Sequence, residues 1–263
     1  MRNEYTLEAY KSRFMDARAK VLGEEGSPLG IGTLGEKCIH KVLKFTVEPD
    51  VKNHEKSFLG SVADVLNSDG VFEIQTRAFK KLLPKLKKML PTSPVTVIYP
   101  IIRRKSLAWL DPESGELSAK HPTPRRGRPS DILYELSGIS ELIGTAGLTV
   151  RIVLLDADEY RLLDGYGKDR KKRATKLNKI PIALCDVIDV LCASDIIELL
   201  PEALPETFTA AELYRALAFG TRRGYYSLKL LLDLKIVERV GKDGRAYLYK
   251  FAYNANKCSQ NCE

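Results

Sequence analysis

Residues 61–76 read SVADVLNSDGVFEIQT, and three of their side chains could do chemistry: Asp64, Glu73 and Gln75. Two carboxylates and an amide oxygen are hard donors that suit Mg²⁺ or Mn²⁺ rather than zinc. They sit in two short apolar runs, 62–66 and 71–74, separated by Asn-Ser-Asp-Gly, and this spacing predicts a β-hairpin. Directly opposed residues in such a hairpin share a face, and their numbers sum to a constant. A Ser68-Asp69 loop opposes Asp64 to Glu73. An Asp69-Gly70 loop, which suits a type I′ turn, opposes Asp64 to Gln75. Glu73 and Gln75 share a face in either register, by the two-residue period of a strand. A three-residue loop instead opposes Asp64 to Ile74 and scatters the group. Opposed carboxylates destabilise a strand pair by up to ~1 kcal/mol, and a bound cation would offset that cost. An edge hairpin whose acids face water is the alternative.

The elements around the hairpin must position these groups. GEKCIHKVLKF, from Gly35, places Cys38, Ile39, Val42 and Leu43 at the i, i+3, i+4 spacing of an amphipathic helix. HEKSFLG reads as a strand, and RAFKKLLPKLKKML as a basic amphipathic helix with Pro84 as a point of kinking. PVTVIYPI reads as a β-branched strand. The order is helix, three strands, helix, strand.

Asp64, eight intervening residues and then Glu73-Ile74-Gln75 resemble the PD-(D/E)xK nuclease signature, with Gln in place of the final Lys and Ala63 in place of the Pro. Glu36 matches the acid this superfamily often carries on its first core helix. The resemblance spans about a quarter of the chain. It implies an α/β fold with a restriction-endonuclease-like core, a mixed sheet flanked by helices. It further implies Mg²⁺ (or Mn²⁺) held by Asp64, Glu73 and Glu36, with Gln75 positioning a water, and metal-dependent hydrolysis of DNA. An amide cannot do the work of the missing lysine; Lys56 on the preceding strand or Lys41 on the first helix could place an ammonium nearby. His40, one turn after Glu36, reads as a helix-surface histidine. The Gln and the missing Pro favour the alternative, a catalytically inactive DNA-binding protein or transcriptional regulator. The whole chain is similar to an uncharacterised bacterial family joining such a core to a winged helix.

The charge balance points to the same ligand. Forty-two Lys and Arg against 34 Asp and Glu give the 263-residue chain a net charge of +8, which favours a polyanion. Basic runs fall at 103–105, at 125–128 (RRGR) and at 168–173 (KDRKKR). RGRP at 126–129 resembles an AT-hook core, although a basic loop explains it more simply. Asp156, Asp158 and Glu159, at the end of the strand LTVRIVLLDADEY, could bind a cation or form a capped turn. Five scattered cysteines argue for reduced thiols. No stretch approaches the roughly 20 apolar residues of a membrane span, so the expectation is a cytoplasmic protein with no membrane partner.

A composition change at PEALPETF predicts a domain boundary: a nuclease-like domain over 1–200, a second domain over 205–251 and a flexible tail over 252–263. TAAELYRALAF reads as a helix with a Thr N-cap, TRRGYYSLKLLLDLK as a second helix, and IVERVGKDGRAYLYKF as a β-hairpin. Two helices and a basic hairpin are the parts of a winged helix-turn-helix. Arg222, Arg223, Tyr225, Tyr226 and Lys229 on the second helix, with Lys242 and Arg245 at the hairpin tip, are the expected contacts to duplex DNA. A homodimer is compatible with this reading.

Overall fold

The computed structural model describes residues 6–24, 38–165, 174–202 and 204–252. Glu36 and the run 168–173 (KDRKKR) therefore lie outside the described residues, as do Cys258 and Cys262.

Two amphipathic helices come first. In α1 (Leu7–Glu24), Tyr10, Phe14, Ala17 and Val21 form one buried stripe, and in α2 (Cys38–Val47) the buried set includes the expected Cys38, Ile39, Val42 and Leu43. A meander follows, made of β1 (His54–Phe58), β2 (Ser61–Asn67) and β3 (Gly70–Ile74), with both pairs antiparallel. Helix α3 (Phe79–Met89) runs unbroken through Pro84. Its first N–H, on Phe79, is capped from a distance by Glu135 Oε2 at 3.2 Å.

The next strands are longer than the sequence suggests. β4 (Val95–Leu110) continues through the segment KSLAWL before turning, and the short β5 (His121–Pro122) pairs back onto it. A small helix α4 (Leu133–Leu136) leads to β6 (Leu148–Leu162). β7 (Thr175–Val190) follows, and then α5 (Ala193–Ile197). This resolves 187–200, where strand and helix patterns compete, into a strand end and one helical turn.

These strands build one mixed sheet in the order β1-β2-β3-β4-β6-β7, with β3, β4 and β6 parallel and the other neighbours antiparallel. Strand parity divides its two faces. Val71, Val95, Val97, Val150 and Ile152 pack toward α3 and α4, while Phe72, Ile74, Ile98, Val153 and Leu155 pack toward α1 and α2. The protein is thus mixed α/β, a mixed multi-stranded sheet flanked by helices on both faces.

The C-terminal segment forms β8 (Thr207–Thr209), α6 (Ala210–Ala216), α7 (Thr221–Asp233), β9 (Val237–Asp243) and β10 (Ala246–Phe251). Thr209 caps α6 as expected, accepting the Glu212 N–H while Glu212 accepts the Thr209 N–H. The three strands pair in the order β8-β10-β9. Phe208, Leu213, Leu228 and Leu231 are buried in the same cluster as the α3 side of the large sheet, so the core is continuous across residues 201–208. No described helix is long and apolar enough to cross a membrane.

Candidate functional site

Asn67 opposes Gly70, Leu66 opposes Val71 and Val65 opposes Phe72. The hairpin loop is therefore Ser68-Asp69, the register whose continuation would set Asp64 against Glu73. The pairing stops one residue short of that. Leu66 and Val71 pack on the α3 side and Val65 and Phe72 on the α1–α2 side, so strict alternation would send Ala63 to the α1–α2 side. Ala63 is instead buried in the α3-side cluster. The alternation therefore breaks at Asp64, while the register against β1 is the same on either side of it. Across the ladder, β1 pairs on either side of Glu55 but not at it, and Glu55 has a φ of 51°.

This break turns the two acids toward different helices. Asp64 Oδ2 accepts the Ile74 N–H at 2.7 Å and pairs with His40 Nε2, on α2, at 3.1 Å. Burial pushes the Asp64 carboxyl up, but the His40 and Ile74 interactions outweigh it and hold it below the usual range. Glu73 stays on the α3 side, 5% exposed, and its Oε2 accepts from Lys85 Nζ at 2.6 Å. The same ammonium donates to the Val62 carbonyl at 2.6 Å. Burial, with the Asp64 charge adding to it, raises the Glu73 carboxyl although Lys85 opposes. Glu73 Oε1 is buried with no hydrogen-bond partner.

A divalent ion needs oxygens converging on one point. Oδ2 of Asp64 and Oε2 of Glu73 are each engaged by a donor from a different side of the sheet. Among the described residues, no three His, Cys, Asp or Glu side chains are placed to hold a metal ion. Glu36, the third expected ligand, lies outside the described residues, so the expected set of three is not described. Gln75 lies just past β3, with its backbone N–H on the Ile98 carbonyl and its side chain half-exposed. Lys56 is exposed on the edge strand β1, with neither an ion pair nor a side-chain hydrogen bond to either acid among the described residues. The ammonium beside Glu73 comes instead from α3, which the hairpin pattern gives no reason to expect. A signal for it exists: position 85 completes the 82, 85, 86, 89 stripe that buries Leu82, Leu86 and Met89.

The acids at the end of β6 are each matched by cations. Asp156 takes a two-pronged bond from Arg103 at 3.0 and 2.8 Å, and Asp158 is bonded by Lys120 at 2.5 Å. Glu159, 1% exposed, is held by Lys105 and Arg161 at 2.8 Å each. Burial alone would raise its carboxyl, yet these cations draw it down to about 2.

In the C-terminal unit Arg222, Tyr225, Tyr226 and Lys229 are exposed on α7 at the i, i+3, i+4, i+7 spacing of one helical face. Lys229 also pairs with Asp233 at 2.5 Å. Arg223 departs from this set. It turns inward, donating to the Asp131 carbonyl at 3.0 Å and carboxylate at 3.2 Å, with its guanidinium 4.0 Å from the Phe219 ring centre. On the hairpin Lys242 and Arg245 are exposed as expected, and Arg239 joins them, its guanidinium 3.7 Å from the Tyr247 ring centre. Beside Arg223 lies a cavity of about 570 Å³ between β4, the 123–127 loop, α4 and α7.

The sheet and its flanking helices define a mixed α/β protein. Residues 37–191 match the family described as "Domain of unknown function (DUF8091)", and the chain belongs to that family. It is also similar to an "Uncharacterized protein" of Treponema pallidum (strain Nichols), 28% identical over 222 residues that cover 84% of this chain and 87% of that protein. No solved structure matches.

Proposed function

We propose that the protein binds duplex DNA without cutting it, as a nuclease-like core that carries a C-terminal winged helix. The single observation behind this reading is the exposed cationic and aromatic surface of α7 and the β9–β10 hairpin, formed by Arg222, Tyr225, Tyr226, Arg239, Lys242, Arg245 and Tyr247. Exposed guanidinium and ammonium groups contact phosphates, and a helix with an adjacent hairpin can straddle the backbone beside a groove. The net charge of +8 adds long-range attraction. The helix, three strands, helix, strand order of the core supports the nuclease likeness. Gln75 in place of the lysine, and Asp64 turned to His40 on α2, support the reading without cleavage.

The measurement is fluorescence anisotropy of a mixed-sequence duplex with the full chain across a salt series. Replacing Arg222, Arg239, Lys242 and Arg245 together by Ala is expected to weaken binding by about a hundredfold or more at 0.15 M salt. The logarithmic salt slope should fall by up to roughly 0.9 for each phosphate that the variant no longer neutralises. A wild-type chain that binds no duplex, or a variant that binds equally well, rejects the proposal. Plasmid cleavage by the wild type in Mg²⁺ or Mn²⁺, absent in EDTA and in Glu73→Gln, would restore the nuclease reading.

A further inference from the structure

The cavity between the sheet and the C-terminal unit is a second polar site, and neither the duplex-binding surface nor the carboxylate hairpin uses it. Its volume of about 570 Å³ falls within the 300–1,000 Å³ usual for small-molecule sites. The loop that closes it is the RRGRP segment. Gly127 there sits so close to β4 that an added Cβ would lie 2.3 Å from the Ile102 carbonyl oxygen, and its N–H reaches the Ile102 and Arg103 carbonyls at 3.1 Å. The basic loop is thus pinned to the strand, which holds Arg125 at the cavity wall.

The lining divides by chemistry. Lys105, Arg125 and Lys179 supply cations; Lys105 and Lys179 also pair with Glu159, at 2.8 and 3.8 Å, whereas Arg125 makes no ion pair among the described residues. Tyr99 and Tyr134 supply aromatic rings. The Tyr99 hydroxyl makes no hydrogen bond among the described residues, and burial, reinforced by the Glu135 charge, pushes it up to about 12, so it is a neutral donor. Glu135 has one oxygen engaged by the Phe79 N–H, and its other oxygen has no partner among the described residues. Arg223 and Asp131 bond each other and close the floor.

We propose that this cavity binds a purine nucleotide. The phosphate would lie at Arg125 and Lys179, the base against the Tyr99 and Tyr134 rings, and a base N–H on Glu135. Aromatic rings accept any base face, whereas a carboxylate accepts best from guanine, whose N1–H and amino group lie side by side. Guanine nucleotides are therefore the favoured ligands. The inference does not rest on duplex binding by α7 and the hairpin. The nucleotide can be free or the phosphorylated end of a strand, since the chemistry presented is the same.

Titration calorimetry of the full chain with GMP, UMP and inorganic phosphate tests it. GMP is expected to bind saturably and more tightly than UMP or phosphate. Arg125→Ala, at an exposed position, should weaken GMP about tenfold or more with an unchanged melting temperature. Glu135→Gln, which keeps an acceptor for the Phe79 N–H, should narrow the preference for GMP over UMP. A 5′-phosphorylated guanine-ended single strand that binds more tightly than GMP identifies the strand end as the source; the reverse order identifies the free nucleotide. Three results overturn the proposal: no saturable GMP signal at millimolar concentration, phosphate binding as tightly as GMP, or Arg125→Ala binding GMP like the wild type. The quadruple variant in α7 and the hairpin should still bind GMP, so failure of one site is distinguishable from failure of the other.

Discussion

Lys85→Ala is expected to lower the unfolding free energy by about 3 kcal/mol, as measured by urea denaturation at neutral pH. Glu73 is 5% exposed, its Oε1 has no partner, and Lys85 supplies the only cation paired with Oε2 among the described residues. Removing one member of a buried ion pair costs ~3–5 kcal/mol because the other charge is left unpaired, and the 22% exposure of the Lys85 side chain places the value near the lower end. Replacing both residues by apolar ones, Glu73→Leu with Lys85→Met, should restore most of that stability, because it removes the desolvation penalty together with the attraction. The pH dependence carries its own sign. Burial raises the Glu73 carboxyl in the folded state above its unfolded value, so its contribution is full below the unfolded value and disappears as pH rises through the folded one. Without Lys85 the carboxyl rises further, and the variant should lose stability over a window extending to higher pH than in the wild type. If the double variant is as unstable as Lys85→Ala, packing of the lysine stem is the cause and the charge argument fails. Its duplex affinity should match the wild type, since neither residue belongs to the DNA-binding surface.

The same pair shows what the sequence could and could not convey. The hairpin and the order of core elements follow from local patterns (period-two runs, a turn tetrapeptide and helices with one apolar stripe), whereas the choice among three possible loops does not. The break in alternation at Asp64 does not follow, because alternation is read by assuming an unbroken ladder. Whether Ala63 or Asp64 faces α3 depends on how β1 and β2 pair at Glu55, two elements in contact. Lys85 is hidden for a related reason. Its stripe position is visible, but a lysine on a basic helix is ordinarily solvated, and only a buried Glu73 opposite gives it a partner. Arg223 shows the reverse case, an expected surface cation with an internal partner. Adjacent arginines on one helix point about 100° apart, so Arg223 can turn to Asp131 while Arg222 stays exposed. The cavity lies beyond any local reading, since Tyr99, Arg125, Glu135 and Arg223 come from four separate segments.

At the hairpin turn a single methyl group should also destabilise the fold. Gly70 has a φ of 121°, and a Cβ built on it would lie 2.4 Å from the Pro94 carbonyl oxygen, which also accepts the Val71 N–H at 2.9 Å. Two penalties combine in Gly70→Ala. Holding a side chain at that φ costs about 1–3 kcal/mol. Pushing β3 away from the start of β4 costs a comparable ~1–3 kcal/mol, because the obstacle is backbone and cannot rotate aside. A total destabilisation of about 3 kcal/mol is expected in urea denaturation, and it should extend to the site. β3 carries Glu73 opposite Val97 of β4, so a shifted strand moves the carboxylate relative to Lys85. Gly115→Ala is the matched control: its φ is 71° and nothing lies within 4 Å of the added Cβ. It should cost only the backbone strain, about 1 kcal/mol. Equal destabilisation in the two variants would show that the close approach to Pro94 is not what fixes glycine at position 70.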